Sequence, residues 1–313
     1  MSRLMSRLLY WLSRRRLSTL HVLGAVLGWG AWALSPSYRA RLGDNARRAG
    51  IALADRRRAV AEAGRMSAEM PRLWLRPAGQ PIADPLRWEG AHWIEAALGR
   101  PGGLVILTPH LGSFEVAAQA YAERFGATQP MTVLYRPARQ PWLRRLEEQA
   151  RARPGLSTAP ASLAGVRSLL RALQRGHTVG LLPDQVPPQG QGVWAPFFGQ
   201  PAYTMTLAAR LARQTGATVL QAWCERLPHG AGYVVRVEPL AHPLPLETGL
   251  PAPAAGAGDG AGAGTAGVPA ATEAAWAEAA ATAINRSMEA LILRHPAQYL
   301  WGYHRYKAPR PTP

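Results

Sequence analysis

The sequence predicts an α/β fold: a mainly parallel layered sheet with flanking helices, preceded by an N-terminal membrane-anchor helix. Beyond about residue 100, short apolar runs alternate with helical patterns of roughly ten to fifteen residues, the signature of strand–helix–strand units. A chain of 313 residues fits one large domain, or a domain with an appendage, better than two full domains. Three polar stretches, HLGSFE, YRP and PDQ, each follow a strand-like run, and the carboxyl ends of parallel strands are where such sheets bind ligands.

Residues 1–40 read as a basic N-terminal membrane anchor and 41–313 as the folded domain. In MSRLMSRLLYWLSRRR, Leu4, Leu8 and Trp11 or Leu12 fall at helical spacing between arginines. LSTLHVLGAVLGWGAWAL, residues 17–34, follows without a formal charge, at the lower length limit for crossing a bilayer, and His21 weakens the case for crossing. The following SPSYRARLGDNARR is a poor cleavage site for a signal peptide. The segment is therefore expected to be an uncleaved anchor, spanning or lying in the interface, with the rest of the chain on the cytoplasmic side; its alternative is a helix packed on the domain's own core.

In the domain, GLVILTP (103–109) reads as a buried strand and SFEVAAQAYAERFG (113–126) as a helix with Ser113 at its N-cap and Gly126 at its end. MTVLYRP (131–137) is a strand stopped by Pro137, QPWLRRLEEQARAR (140–153) a helix, LAGVRSLLRALQRG (163–176) a helix and HTVGLLPDQ (177–185) a strand. GVWAPFFGQPA reads as an apolar loop, or as an apolar channel or membrane contact through Trp194, Phe197 and Phe198. TMTLAARLARQTG (204–216) reads as a helix, and ATVLQAWCERL with GYVVRVEPL as a strand pair. Residues 241–271 are built from Pro, Ala and Gly and are expected to form a flexible insertion. Trp276, Ile284, Met288, Leu291 and Ile292 then form an apolar helical stripe, and Trp301, Tyr303, Tyr306 and Lys307 an aromatic and basic tail docked on the core.

The net charge of +17 suggests an anionic partner, but its distribution is uneven. Residues 1–60 hold twelve arginines against Asp44 and Asp55, so +10 lies in the first fifth of the chain, beside the apolar segment. A nucleic-acid partner is not expected, because no helix-turn-helix, zinc-finger or RNA-binding signature accompanies the charge. Cys224 is the single cysteine, which excludes an internal disulfide and a multi-cysteine metal site; apolar filler in a strand is its expected role.

His110 follows its strand directly, and Glu115 falls in the first turn of the next helix, where the helix dipole favours a carboxylate. With a turn at Leu111 and Gly112 between them, the acid can reach back to the imidazole: a dyad in which Glu115 fixes the tautomer and His110 removes a proton. A structural histidine and a helix-start glutamate form the alternative. No Gly-x-Ser-x-Gly elbow is present, which disfavours a serine hydrolase.

HLGSFE, LYRP at 134–137, the stretch LLPDQVPPQGQGVWAPFFGQPAYTMTLAARLARQTGA (181–217) and the ending YLWGYHRYK (299–307), in this order and after a basic apolar N-terminus, resemble the lipid A biosynthesis acyltransferases of Gram-negative bacteria, within the glycerolipid acyltransferase superfamily. The resemblance implies transfer of a fatty acyl group from an acyl carrier protein thioester to the 3-hydroxyl of an acyl chain on a lipid A precursor, at the cytoplasmic face of the inner membrane and without a cofactor or metal. It implies that His110 is the general base and Glu115 its partner. Arg136 would bind phosphate or help hold the donor, with Arg139 sharing that role, and Asp184 would shape the site or pair an arginine. A thioester is already activated, so a base aimed at an alcohol suffices. The oxyanion would find donors in backbone N–H groups around Gly112 or in Arg136.

Overall fold

The computed structural model describes residues 3–77, 79–82, 86–136, 138, 140–151, 153–246 and 270–311. Four helices come first: α1 (Arg3–Ser13), α2 (Leu17–Leu34), α3 (Pro36–Arg48) and α4 (Leu53–Trp74). The sheet elements follow as β1 (Leu86–Glu89), α5 (Ala91–Ala97), β2 (Leu104–Leu107), α6 (Phe114–Phe125), β3 (Met131–Tyr135), α7 (Pro141–Arg151), β4 (Leu156–Pro160), α8 (Leu163–Gln174) and β5 (Thr178–Leu181). A hairpin, β6 (Gly192–Phe197) and β7 (Gln200–Met205), leads to α9 (Leu207–Thr215), β8 (Thr218–Arg226), β9 (Tyr233–Pro239) and α10 (Ala270–Arg294).

The main sheet has the order β1-β9-β8-β2-β5-β3-β4. Strands β8, β2, β5, β3 and β4 run parallel, while β9 is antiparallel to β8 and carries β1 beside it. Both faces are covered, as a parallel sheet requires, so its central strands read as unbroken apolar runs. Side chains of β2 alternate between the two cores: Val105 and Leu107 join Leu169, Leu173 and Ile284, whereas Leu104 and Ile106 join Ile94, Val116 and Tyr121. The carboxyl edge of the parallel strands therefore presents, in spatial order, the ends of β8, β2, β5 and β3.

The α/β class, the parallel strands and the flanking helices match the sequence reading. Three details differ. Ser113 precedes α6 but its hydroxyl does not cap it; it donates instead to a buried glutamate described below. Thr204 and Met205, read as helical, end β7, and α9 begins at Leu207. The apolar loop is the β6–β7 hairpin, closed at Phe198 and Gly199, both with positive φ, as a two-residue hairpin turn of matching twist needs. Most of the expected insertion at 241–271 lies outside the described residues; 241–246 carry no regular structure, and α10 begins at Ala270.

The described part of the N-terminal segment, α1 and α2, packs against α4. Helix α2 lies along α4, burying Leu17, Leu20, His21, Gly24 and Gly28. The backbones approach so closely that a Cβ on Gly64 would lie 2.0 Å from the Gly24 carbonyl oxygen and one on Gly28 2.3 Å from that of Val60. Small residues are what permit such an approach between helices. Away from this contact Val22 and Val26 are 65% and 66% exposed, and Leu27 and Leu34, along its flank, are 65% and 87% exposed.

Candidate active site

Because β2 and β5 are neighbours, the loops that leave them meet at the sheet edge. His110 Nδ1 lies 2.7 Å from Asp184 Oδ1, and the His110 backbone N–H donates to Asp184 Oδ2 at 2.9 Å. One carboxylate thus fixes both the ring and the main chain of His110. Gln185 places its side-chain nitrogen 3.0 Å from His110 Nε2, and Phe114 sets its ring edge-on to the imidazole with centroids 4.8 Å apart. A hydrogen-bond assignment consistent with all three contacts has Nδ1–H donating to Asp184 and the Nε2 lone pair accepting from the Gln185 amide. That is the tautomer of a general base.

Asp184 is 2% exposed. Burial alone would raise the pKa of its carboxyl, but the charge of His110, the hydrogen bonds from that residue and the Arg305 guanidinium hold it below the ordinary carboxylate range. The Tyr299 hydroxyl beside it is pushed well above its usual value, first by burial and then by Asp184. The C-terminal segment is part of the site's foundation: Leu300 N–H donates to the His110 carbonyl at 3.1 Å, the Tyr303 hydroxyl accepts from Val186 N–H at 3.0 Å, and Trp301 is buried.

These contacts correct the expected dyad. The carboxylate on the His110 ring nitrogen is Asp184, from the neighbouring strand, and Glu115 lies in the adjoining groove that it lines together with Arg136. The physical reason is topological: strand order brings β5 against β2, and that order was not readable from spacing. The expected oxyanion donors around Gly112 are also engaged. Gly112 N–H donates to the Gln298 carbonyl at 3.0 Å and Ser113 N–H to that of Cys224 at 2.8 Å. Gly112 is needed for shape, since it has φ +62° and a Cβ there would lie 2.0 Å from the Cys224 oxygen. Arg136 follows β3 as expected and is exposed on the groove, while Arg139 lies outside the described residues.

Behind the turn sits a buried charge cluster that the sequence did not reveal. Glu69, on α4, is fully buried and accepts from Ser113 Oγ at 2.6 Å and from Arg226 Nε at 2.5 Å, and it pairs with His21 Nε2 at 2.7 Å. Arg226, at the end of β8, also donates to Glu62 at 2.8 Å and to the Gly112 carbonyl at 3.2 Å. Burial would raise Glu69, but the Arg226 charge and the bonds from His21, Arg226 and Ser113 lower it; burial would lower Arg226, and Glu69 and Glu62 raise it. Both groups therefore stay ionised, and the cluster ties α2, α4 and β8 to the turn that carries His110.

Two cavities meet at His110 and Gln185. The larger, about 710 Å³, runs along the sheet edge past Phe114, Glu115 and Arg136. The other, about 440 Å³, lies between α2, α4 and the C-terminal segment. Among the described residues no group of three or more His, Cys, Asp or Glu side chains is placed to hold a metal ion.

The chain has relatives of known name. The chain is 26% identical over 225 residues to a lipid A biosynthesis lauroyltransferase of Escherichia coli, covering 71% of this chain and 62% of that relative. It is 24% identical over 220 residues to a lipid A biosynthesis palmitoleoyltransferase of the same organism and to a lipid A biosynthesis acyltransferase of Shigella flexneri, covering 70% of this chain and 60% of each. The chain thus spans about three fifths of the length of these relatives. The family model described as bacterial lipid A biosynthesis acyltransferase matches residues 54–308, from α4 to the C-terminal segment that supports His110, and the chain belongs to that family.

Proposed function

We propose that the protein transfers a fatty acyl group from an acyl carrier protein thioester to the 3-hydroxyl of an acyl chain on a lipid A precursor, with His110 as general base. The observation that carries this reading is the Asp184–His110 pair at the junction of two largely apolar cavities. Nε2 takes the proton of the acceptor hydroxyl as its oxygen attacks the thioester carbonyl. The Asp184 carboxylate holds the tautomer and stabilises the imidazolium. As the tetrahedral intermediate collapses, the carbon–sulfur bond breaks and the imidazolium returns the proton to the thiolate, so no covalent enzyme intermediate is required. Among the described residues, Gln185, whose amide lies beside Nε2, and Arg136, on the same groove, are candidates to donate to the oxyanion, the backbone amides of the turn being occupied.

The reading places the protein on the cytoplasmic face of the inner membrane, with α2 lying in the interface. Helix α2 is the one described helix long and apolar enough to cross a bilayer. Its docking along α4 argues for the interface, because crossing would carry the charged side chains of α4 into hydrocarbon. The exposed apolar face and the neighbouring arginines suit an anionic lipid surface.

The test is transfer by detergent-solubilised protein from radiolabelled acyl carrier protein thioesters of several chain lengths to a tetraacylated, Kdo-bearing lipid A precursor. A product carrying one more acyl group supports the reading. Failure with every donor, alongside transfer to another membrane lipid, contradicts the acceptor assignment.

A further inference from the structure

The proposed reaction brings two acyl chains to one base, and His110 has a cavity on each side. The second cavity is a product of the N-terminal helix. Leu27 and Ala31 of α2 form one wall, Ala63 and Ser67 of α4 the other, and Tyr303 lies across the base beside His110. Helix α2, read in the sequence as an anchor or as a helix packed on the domain's own core, is therefore a wall of the active site, held in place by the His21–Glu69 pair and the close approach of Gly24 and Gly28 to Gly64.

We infer that the cleft between α2 and α4 binds the hydroxyacyl chain of the lipid acceptor, leaving the sheet-edge cavity to the acyl donor. The inference rests on the proposed reaction. Three observations set the direction. First, the cleft adjoins the exposed apolar face of α2, where Leu27, a cleft residue, is itself 65% exposed; a chain leaving a lipid surface along this path stays in apolar surroundings. Second, the sheet-edge cavity is the larger and carries the exposed Arg136, a cation suited to the phosphodiester of a carrier's prosthetic arm, beside Glu115 and Glu147; Arg210, also on its lining, pairs with Glu273. Third, Gln185 lines both cavities and touches Nε2, so a hydroxyl arriving from the cleft displaces its amide from the base and frees it for the oxyanion forming on the donor side.

The test uses the full chain in detergent. Cys224 is fully buried and its thiol is pushed well above the ordinary range by burial, so the native protein offers no reactive thiol. Ala31→Cys places one on the exposed wall of the cleft. The lipid A precursor is expected to slow maleimide labelling of this variant, whereas the acyl carrier protein thioester leaves it unchanged. In parallel, Ala31→Trp is expected to raise KM for the acceptor roughly tenfold or more with donor KM unaltered, while Ala96→Trp, at an exposed position of α5 that lines neither cavity, changes neither. Protection by the donor instead, or an unchanged acceptor KM, in a preparation whose wild type still transfers acyl groups, overturns the cleft assignment and leaves the reaction standing. A wild type that transfers nothing to this acceptor overturns both.

Discussion

The Asp184 carboxylate accepts hydrogen bonds from both the ring and the backbone N–H of His110, at 2.7 and 2.9 Å, and so fixes the imidazole from a strand other than the one His110 follows. On this geometry Asp184→Asn keeps the size of the side chain but removes the charge and permits the wrong tautomer. The expected loss is about 10²–10⁴-fold in kcat, with substrate KM values little changed. A Glu115→Gln protein measured alongside separates the two carboxylates: if it, and not Asp184→Asn, loses kcat, the tautomer assignment fails.

Glu69 gives the fold an acid-sensitive bond. Its folded pKa lies below its ordinary value, so its contribution is present above the ordinary carboxylate range and is lost as pH falls through the lowered folded value. Removing one partner of a buried pair costs about 3–5 kcal/mol. Glu69→Gln is therefore expected to lower the urea midpoint strongly at pH 7, and its stability should fall less steeply than that of wild type below about pH 4.5. Parallel pH profiles for the two proteins would show that Glu69 is not the linked group.

Gly64 sets the spacing of α2 and α4. A methyl there meets the Gly24 carbonyl oxygen at 2.0 Å, an overlap that only movement of a backbone relieves. Gly64→Ala should cost about 1–3 kcal/mol and shift the fluorescence of Trp29 and Trp32, which pack edge to face on α2. An unchanged melt and spectrum would mean that α2 is not docked as described.

Gly112→Ala combines a positive φ with contact against the Cys224 carbonyl, and both act on the turn between His110 and Ser113. The variant is expected to lose activity through kcat more than through either KM, because the base is displaced. Full activity would show that the turn tolerates another conformation.

The central strands β2, β3, β5, β8 and β9 and the helices between them were legible because those strands are apolar runs and those helices have their own period, whereas β1 (LRWE) and β4 (LSTAP) are short and mixed and were not read as strands. The ligand edge was legible too, since HLGSFE, YRP and PDQ all lie at strand ends. Pairing was not. The partner of His110 depends on β5 lying beside β2, and the Glu69–Arg226 contact joins residues 157 positions apart. His21 counted against a bilayer span in the sequence, and the structure supplies the reason for a polar residue in that helix: it meets Glu69. The hairpin at 192–205 was hidden because its prolines and aromatics read as an apolar loop.

The central claim is that His110 is the base. The direct measurement is acyl transfer from radiolabelled acyl carrier protein thioester to the lipid A precursor by wild type and His110→Ala, with the melting transition of each recorded. The account predicts a variant that melts cooperatively and transfers about 10²–10⁴-fold more slowly at saturating substrates. A folded His110→Ala protein with the wild-type rate would contradict it.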